Sequence, residues 1–291
     1  MADLIKLGLR LNCIASLIPA RARLADIGTD HAYLPIALCQ QGKIEYAVAV
    51  DIHQGPYQSA LAAVREHNFE NKIAVRLGNG LQTLLPGEID TLSLAGMGGK
   101  TILEILFARQ DILAGVSDLV LQPQGWESKV RSALLEAGWL LKEEHLAEDE
   151  GRIYMIMAFS RKTGYCKREI LEMEKQWIEK ILTASKSEKN RDPAAAIFRN
   201  DQRETEGGKE ITLASSLFWY LGPLILEAPD PILPGLVQEY LKILCKREKQ
   251  MRKSLSLRVQ TRGQEILFQL SLLEVLIQLL NDKGHNGYRI R

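Results

Sequence analysis

The residues best suited to do chemistry lie in "LADIGTDHAYLP", beginning at Leu24. Asp26, Asp30 and His31 crowd a turn that holds one glycine, Gly28. A strand-to-helix turn in an open parallel sheet lines the ligand crevice. A dinucleotide site there needs GxGxxG, so that the backbone can approach a pyrophosphate at the helix N-terminus. Here Thr29, Asp30, His31, Ala32 and Tyr33 follow Gly28 instead. A carboxylate at Asp30 would stand where a diphosphate should lie, and like charges repel. NAD, FAD and ATP are therefore disfavoured.

S-adenosylmethionine (SAM) suits such a turn, because it has no phosphate and carries an ammonium, a carboxylate and a sulfonium. Asp26 and Asp30 can meet the ammonium. Backbone N–H groups around Gly28, between Ile27 and Thr29, can meet the carboxylate. Asp51 ends the apolar run "YAVAVD", with Ile52 beside it. An acid at that place accepts hydrogen bonds from ribose hydroxyls. The run "KIAVRLGNG" offers Asn79, whose amide can hold adenine, and Gly80. In "LAGMGG", Ala95, Gly96 and Gly98 let a ligand or substrate approach the backbone, and Met97 fills shape. Each feature alone has an ordinary reading: a turn glycine, a capping aspartate, an Asn-Gly turn. Four of them at four successive strand ends point to SAM.

Those strand ends need a sheet to align them. From Arg23 to about Arg161, short apolar runs alternate with helix-period segments. Strands are expected at "RLADIG", "YAVAVD", "KIAVRLGNG", "IDTLSLAGMGG" and "SDLVLQPQ", each but the third followed by a helical pattern. Two more, "WLLKEEHLAE" and "RIYMIMAFS", follow in close succession. The alternation predicts an α/β fold with a mostly parallel sheet and helices on both faces. The final pair predicts an antiparallel strand finishing it. This is the pattern of a Rossmann-like class I SAM-dependent methyltransferase. A helix is also expected over "LIKLGLRLNCIASLI", before the first strand.

After Lys162 the strands stop, which divides the chain into 1–162 and a helical, coiled-coil-like part at 163–291. The stretch 187–209 is polar, with Pro193 and Gly207–Gly208, and reads as a loop. "LFWYLGPLILEAPDPILP" reads as a packed, proline-broken connection, and Leu236 to about Leu280 as helix. Two parts suit the length of 291 residues, at roughly 150 residues per domain. Residues 1–162 carry sixteen Lys and Arg against nineteen Asp and Glu; residues 163–291 carry twenty-one against seventeen. The four cysteines are scattered and form no CxxC, as in reduced cytoplasmic proteins. No metal-ligand spacing is visible. Charges interrupt the N-terminal segment, and polar residues interrupt "EILFQLSLLEVLIQLL", so neither a signal peptide nor a membrane span is expected. The expectation is a soluble cytoplasmic protein. The oligomeric state stays open.

In "ADIGTDHAYLP", Gly55–Pro56, "LGNGL", "LAGMGG" and "LQPQ" the chain resembles the TrmK family, the bacterial tRNA adenine-N1 methyltransferases that act at position 22. The ordered motifs span about residues 1–162, and "FWYLGPLIL" extends the likeness more weakly. The chain has Asn79 where family members usually carry an acid, and "QPQ" where they carry "QPN". The resemblance implies tRNA as the substrate and SAM as the methyl donor.

Adenine N1 already has a lone pair, so its methylation needs positioning and dryness more than a strong base. The product is a cation. Asp30 is a candidate to stabilise that charge, or else to serve the SAM ammonium. His31 and Tyr33 could stack on or hydrogen-bond the target base, against the alternatives of a satisfied polar residue and of core packing. Gln122 and Gln124 stand where amino methyltransferases hold the acceptor. Extrusion of the base is expected, since pairing hides N1. Arg10, on the first helix, could contact a phosphate. Residues 242–262 contain eight Lys and Arg and one acid, Glu248. Lys246, Arg247, Lys249, Arg252 and Lys253 make this a phosphate-binding stripe, against the alternative of a solvated face. An enzyme on another RNA or a small molecule, or a non-catalytic SAM- or RNA-binding module, stays open as a second reading.

Overall fold

The structure is a computed structural model and describes residues 3–189, 203–251 and 257–282. The chain divides into two compact units, Met1–Lys167 and Arg168–Arg291. The boundary falls a little beyond residue 162 because Tyr165 still belongs to the sheet. Its N–H donates to Leu141 O (2.9 Å) and its carbonyl accepts from Leu141 N (3.0 Å).

In the first unit, helix α1 (Leu9–Leu17) precedes β1 (Ala22–Ile27), α2 (Tyr33–Gln40), β2 (Ile44–Asp51), α3 (Gln54–Glu66) and β3 (Ile73–Leu77). A 3-10 turn at Gly80–Thr83 leads to β4 (Thr91–Met97), α4 (Gly99–Ala108), the short α5 (Gln110–Leu113), β5 (Asp118–Pro123) and α6 (Glu127–Glu136). β6 (Leu140–Asp149) and β7 (Arg152–Ser160) end the unit. The strands form one seven-stranded sheet in the order β3-β2-β1-β4-β5-β7-β6, with β7 antiparallel to both its neighbours. The expected sheet is thus present. α1 is shorter at both ends than the apolar run 4–18 suggested.

Burial explains the sequence of the central strands. Leu24, Ala25, Ala47, Val48, Ala49, Val50, Leu92 and Leu94 are inaccessible to solvent. Strands covered on both faces read as continuous apolar runs rather than alternating ones. Pro35 sits in the first turn of α2, where its missing N–H has no intrahelical partner to lose. A buried ion pair, Arg131 Nε to Glu144 Oε1 at 2.6 Å, ties α6 to β6.

The second unit is helical: α7 (Lys167–Lys189), α8 (Arg203–Leu221), α9 (Pro223–Glu227), α10 (Leu233–Met251) and α11 (Leu257–Asp282). Two expectations are corrected here. Residues 187–189 and 203–209 of the supposed loop are helical, and 190–202 lie outside the described residues. The Gly207–Gly208 pair costs about 1 kcal/mol per glycine in a helix. Burial of Ala214, Leu217, Phe218 and Leu221 further along α8 outweighs that cost. The proline-broken connection is also mostly helical, because Pro223 occupies the first turn of α9, where proline is tolerated. Phe218 packs on Trp177, and Tyr220 stacks on Tyr240 at 4.1 Å. By length and composition Gly263–Asn281 of α11 could cross a membrane. Within it Ile266, Leu272, Leu273, Val275 and Leu276 are buried, and the rest of that segment is not.

Candidate active site

The strands β1, β2, β4 and β5 are parallel and end at one edge of the sheet. Their following turns carry the candidate residues, so register alone brings distant segments together. Asp51 ends β2 beside Gly28 and is itself nearly buried, at 7% exposure. Its Oδ1 accepts from His53 N–H (2.9 Å) and its Oδ2 from Asp30 N–H (3.3 Å). One carboxylate thus fixes the turns after both β1 and β2.

The first turn is backbone-strained. Asp30 (φ 54°) and Ala32 (φ 55°) adopt the left-handed conformation beside Gly28 (φ 76°). Non-glycine residues hold such angles at a cost, and they cluster at functional sites. The turn closes by internal bonds. Gly28 and Thr29 N–H both donate to Val50 O (2.8 and 3.1 Å), and Ala32 N–H to Thr29 O (3.0 Å). The backbone N–H groups around Gly28 were expected to meet a ligand carboxylate. Those of Gly28 and Thr29 are engaged within the turn.

Asp26 lies beneath the turn. It accepts a hydrogen bond from Thr29 Oγ1 (2.7 Å). Burial pushes its carboxyl up to about 6; Asp51 adds to the rise, while Thr29, Ser93 and Arg10 oppose it. Ser93 is its register partner on β4. The Ser93 hydroxyl is buried and completes no hydrogen bond of normal geometry, though its polarity helps hold the Asp26 carboxyl down.

At the end of β4 the register slips between Ala95 and Met97. Gly96 (φ 76°) makes this bulge, as only a residue without Cβ does easily. Its N–H donates to Gln122 Oε1 (3.1 Å). The same oxygen accepts from Arg10 Nη1 (3.1 Å), and Gln122 Nε2 donates to Pro123 O (3.0 Å). Gln122 is inaccessible to solvent. Its amide is thus engaged with Arg10, Gly96 and Pro123. Gln124 is exposed on the next turn, pinned by its N–H to Met97 O (2.8 Å).

A cleft of about 410 Å³ opens along this edge, within the range of small-molecule sites, roughly 300–1,000 Å³. Of the expected cofactor residues, Ile27, Gly28, Asp51, Ile52, Asn79, Gly80 and Met97 line it. Asp26, Thr29, Ala95, Gly96 and Gly98 do not line it. The Asn79 side chain makes no hydrogen bond among the described residues and is exposed. Two glycines shape the walls. A Cβ at Gly28 would collide with Met97 Cε, and one at Gly80 would lie 2.8 Å from Ile105 Cγ2. Sequence reading missed the wall from α4, where Thr101, Glu104, Ile105 and Ala108 line the cleft. Their i, i+3, i+4, i+7 spacing was the available signal, since it marks one helix face. His53 and Gln82 were missed as well; they come from turns and carry no such period.

At the rim, His31 and Tyr33 stack on each other, with centroids 5.1 Å apart and rings 15° from parallel. Asp30 Oδ1 lies 3.6 Å from His31 Nε2, and its side chain is 69% exposed. The rim thus presents an aromatic face and an accessible carboxylate next to the cleft. Arg10 is not solvated as a free side chain would be. Its guanidinium lies over the Tyr154 ring, 5.4 Å from the centroid.

A seven-stranded sheet with this order and a phosphate-averse first turn defines the Rossmann-like methyltransferase class. Residues 7–157 match the family model described as a methyltransferase domain. The tRNA (adenine(22)-N(1))-methyltransferase of Bacillus subtilis is 39% identical over 153 residues, which cover 53% of this chain and 64% of that enzyme. The chain thus matches a little under two thirds of that enzyme's length. A Mycoplasma pneumoniae relative, a candidate tRNA methyltransferase, is 30% identical over 52% of this chain and 70% of its own. The crystal structure of B. subtilis TrmK superposes over 94% of this chain and all of that one, with a TM-score of 0.69 and 26% identity. The Streptococcus pneumoniae protein Sp1610, crystallised with S-adenosyl-L-methionine, covers 93% of this chain and all of its own, at 26% identity and a TM-score of 0.64. The chain belongs to the methyltransferase-domain family.

Proposed function

We propose that this protein transfers the methyl group of SAM to N1 of an adenine in tRNA, at position 22. The observation that carries the proposal is the cleft beside Asp51, in a chain related along the sheet unit to an enzyme named for that reaction. The residues fit SAM. Asp51 faces the ribose hydroxyls, Asn79 offers an unengaged amide to adenine, and Asp26 supplies negative charge at the methionine end. SAM supplies an activated methyl group on a sulfonium. The adenine N1 lone pair forms the new N–C bond as the C–S bond breaks, and sulfur takes the electron pair. S-adenosylhomocysteine leaves, and the positive charge passes to the purine.

The protein's part is to orient and to exclude water. His31 and Tyr33 are positioned to stack on an extruded purine, and Gln124 to hold its edge. Asp30 is exposed at the rim, where a carboxylate stabilises a cationic purine through preorganised charge. No side chain is required to remove a proton from N1.

The basic stripe supports an RNA substrate. On α10, Lys242, Lys246, Arg247 and Lys249 are exposed, while Glu248, the lone acid of the run, is buried. Lys242, Lys246 and Lys249 share a shallow groove with Cys245 and Gln250. Helical spacing thus turns the cations outward and the acid inward, which suits phosphates. Arg252 and Lys253 lie outside the described residues. A tRNA substrate also implies a cytoplasmic setting.

The direct test is incubation with labelled SAM and unmodified tRNA, then nucleoside mass spectrometry. The expected product is 1-methyladenosine, lost when adenine 22 is replaced. No transfer, or a different methylated nucleoside, would overturn the proposal.

A further inference from the structure

Outside the cleft, the same sheet edge carries another exposed aromatic side chain. Of the four tryptophans, Trp139 is buried, and Trp177 and Trp219 are half-buried in the helical unit. Trp126 is 54% exposed, in the turn between β5 and α6. Its indole makes no hydrogen bond or ring contact among the described residues. It does not line the cleft either.

Folding gains little from a tryptophan here. Its backbone is left-handed (φ 65°, ψ 20°), which is unfavourable for a bulky residue. It stands at the N-cap of α6, where Ser, Thr, Asp or Asn serve best, and it makes no capping bond. The turn is nonetheless held in place. Gln124 N–H donates to Met97 O (2.8 Å), Gly99 N–H to Gly125 O (3.2 Å) and Gly125 N–H to Glu127 Oε1 (2.8 Å). A Cβ on Gly99 would lie 2.7 Å from Trp126 Cβ, so the turn packs directly on the start of α4. A strained residue fixed with its large apolar face in solvent points to a partner that covers that face.

Position supplies the chemistry of that partner. β1 and β5 flank β4, so their turns stand two strand spacings apart, roughly 10 Å. The β1 turn carries the stacked His31 and Tyr33, and the β5 turn carries Trp126. Lys129, exposed one turn along α6, adds a cation. Aromatic faces set in sequence with cations beside them hold successive bases of a single strand. Extruding one base also strips its neighbour of a stacking partner.

We propose that Trp126 stacks on the base next to the target adenine in the RNA chain, while the target itself enters beside His31 and Tyr33; this rests on the tRNA reading above. The indole replaces the stacking that the neighbouring base loses. It sets affinity for the RNA and has no part in holding the methyl donor.

The test uses the full chain, unmodified tRNA, and two tRNAs that each lack the base on one side of the target adenine. Trp126→Asn should raise the Kd for unmodified tRNA by about tenfold, the scale of one lost stacking contact. SAM affinity should stay within about twofold. Asparagine tolerates a left-handed backbone and suits an N-cap, so the melting temperature should not fall. Trp126→Phe should keep part of the tRNA affinity. One of the two altered tRNAs should bind wild type about tenfold more weakly, yet bind Trp126→Asn as unmodified tRNA does, because both changes remove the same contact. A lower melting temperature in Trp126→Asn would overturn the assignment in favour of a structural role. Unchanged tRNA affinity would overturn it in favour of a solvated side chain. Losses that add up for both altered tRNAs would place the indole against another part of the RNA. Each of these, alongside a wild type that forms 1-methyladenosine, defeats this assignment alone. A wild type that forms none would defeat the tRNA reading, and this assignment with it.

Discussion

Asp26 is a residue whose charge state folding alters. Its carboxyl titrates near 6 in the folded protein against an ordinary 3.8, chiefly through burial. Between those values the folded state holds a proton that the unfolded state has lost. Stability therefore falls as pH rises from about 4 to 6, and the loss is complete above that range. Asp26→Asn should be more stable than wild type at pH 7.5, by up to about 3 kcal/mol, with the gap closing at pH 4. Urea denaturation at the two pH values checks this, and a pH-independent gap would refute it. Wild-type SAM affinity should rise from pH 5 to 7, because the ammonium favours the ionised form. Asp51 calls for a different experiment. Removing its carboxylate frees the Asp30 and His53 N–H groups along with the ribose contact. Asp51→Ala should bind no SAM by calorimetry, and undiminished affinity would exclude this cleft as the cofactor site.

At the scale of elements, the sheet edge works because its turns are tied sideways. Gly28 shows the geometric constraint: its φ of 76° strains any residue with a Cβ, and the Met97 methyl would have to move aside. Gly28→Val should abolish SAM binding and lower the melting temperature together. The pairing of α6 with β6 is held differently. Arg131 and Glu144 are both inaccessible to solvent, and Arg131 also reaches Met155 Sδ. Glu144→Ala would leave a buried guanidinium without its carboxylate, which costs about 3–5 kcal/mol. The urea midpoint should drop accordingly. SAM affinity of the folded fraction should stay at the wild-type level, since neither residue lines the cleft. A loss of binding without a loss of stability would contradict that division.

At the scale of the whole molecule, the sheet unit and the helical unit divide the proposed work between donor and RNA. Charge reversal at Lys246, Arg247, Lys249 and Arg252 should weaken tRNA binding and flatten its dependence on salt, because fewer counterions are released per complex. SAM binding should be unaltered. An unchanged tRNA affinity would show that the stripe is only a solvated surface.

The sequence alone determined the sheet and most of the cleft floor. Buried parallel strands must be continuous apolar runs, and the turns that end them lie in a line, so Gly28, Asp51, Asn79 and Met97 could be read in order. The boundaries of the C-terminal helices were less legible. Gly207, Gly208 and Pro223 are local breakers, and burial of residues further along α8 overrode the first two. Only the tertiary structure decided which donors remain available at the site. Arg10 and Gln122 meet through the packing of α1 on β5, β6 and β7, across more than a hundred residues of chain, and Gly96 joins them from the β4 bulge. Local pattern carries no record of such hydrogen bonds, because their partners are set by the fold rather than by spacing.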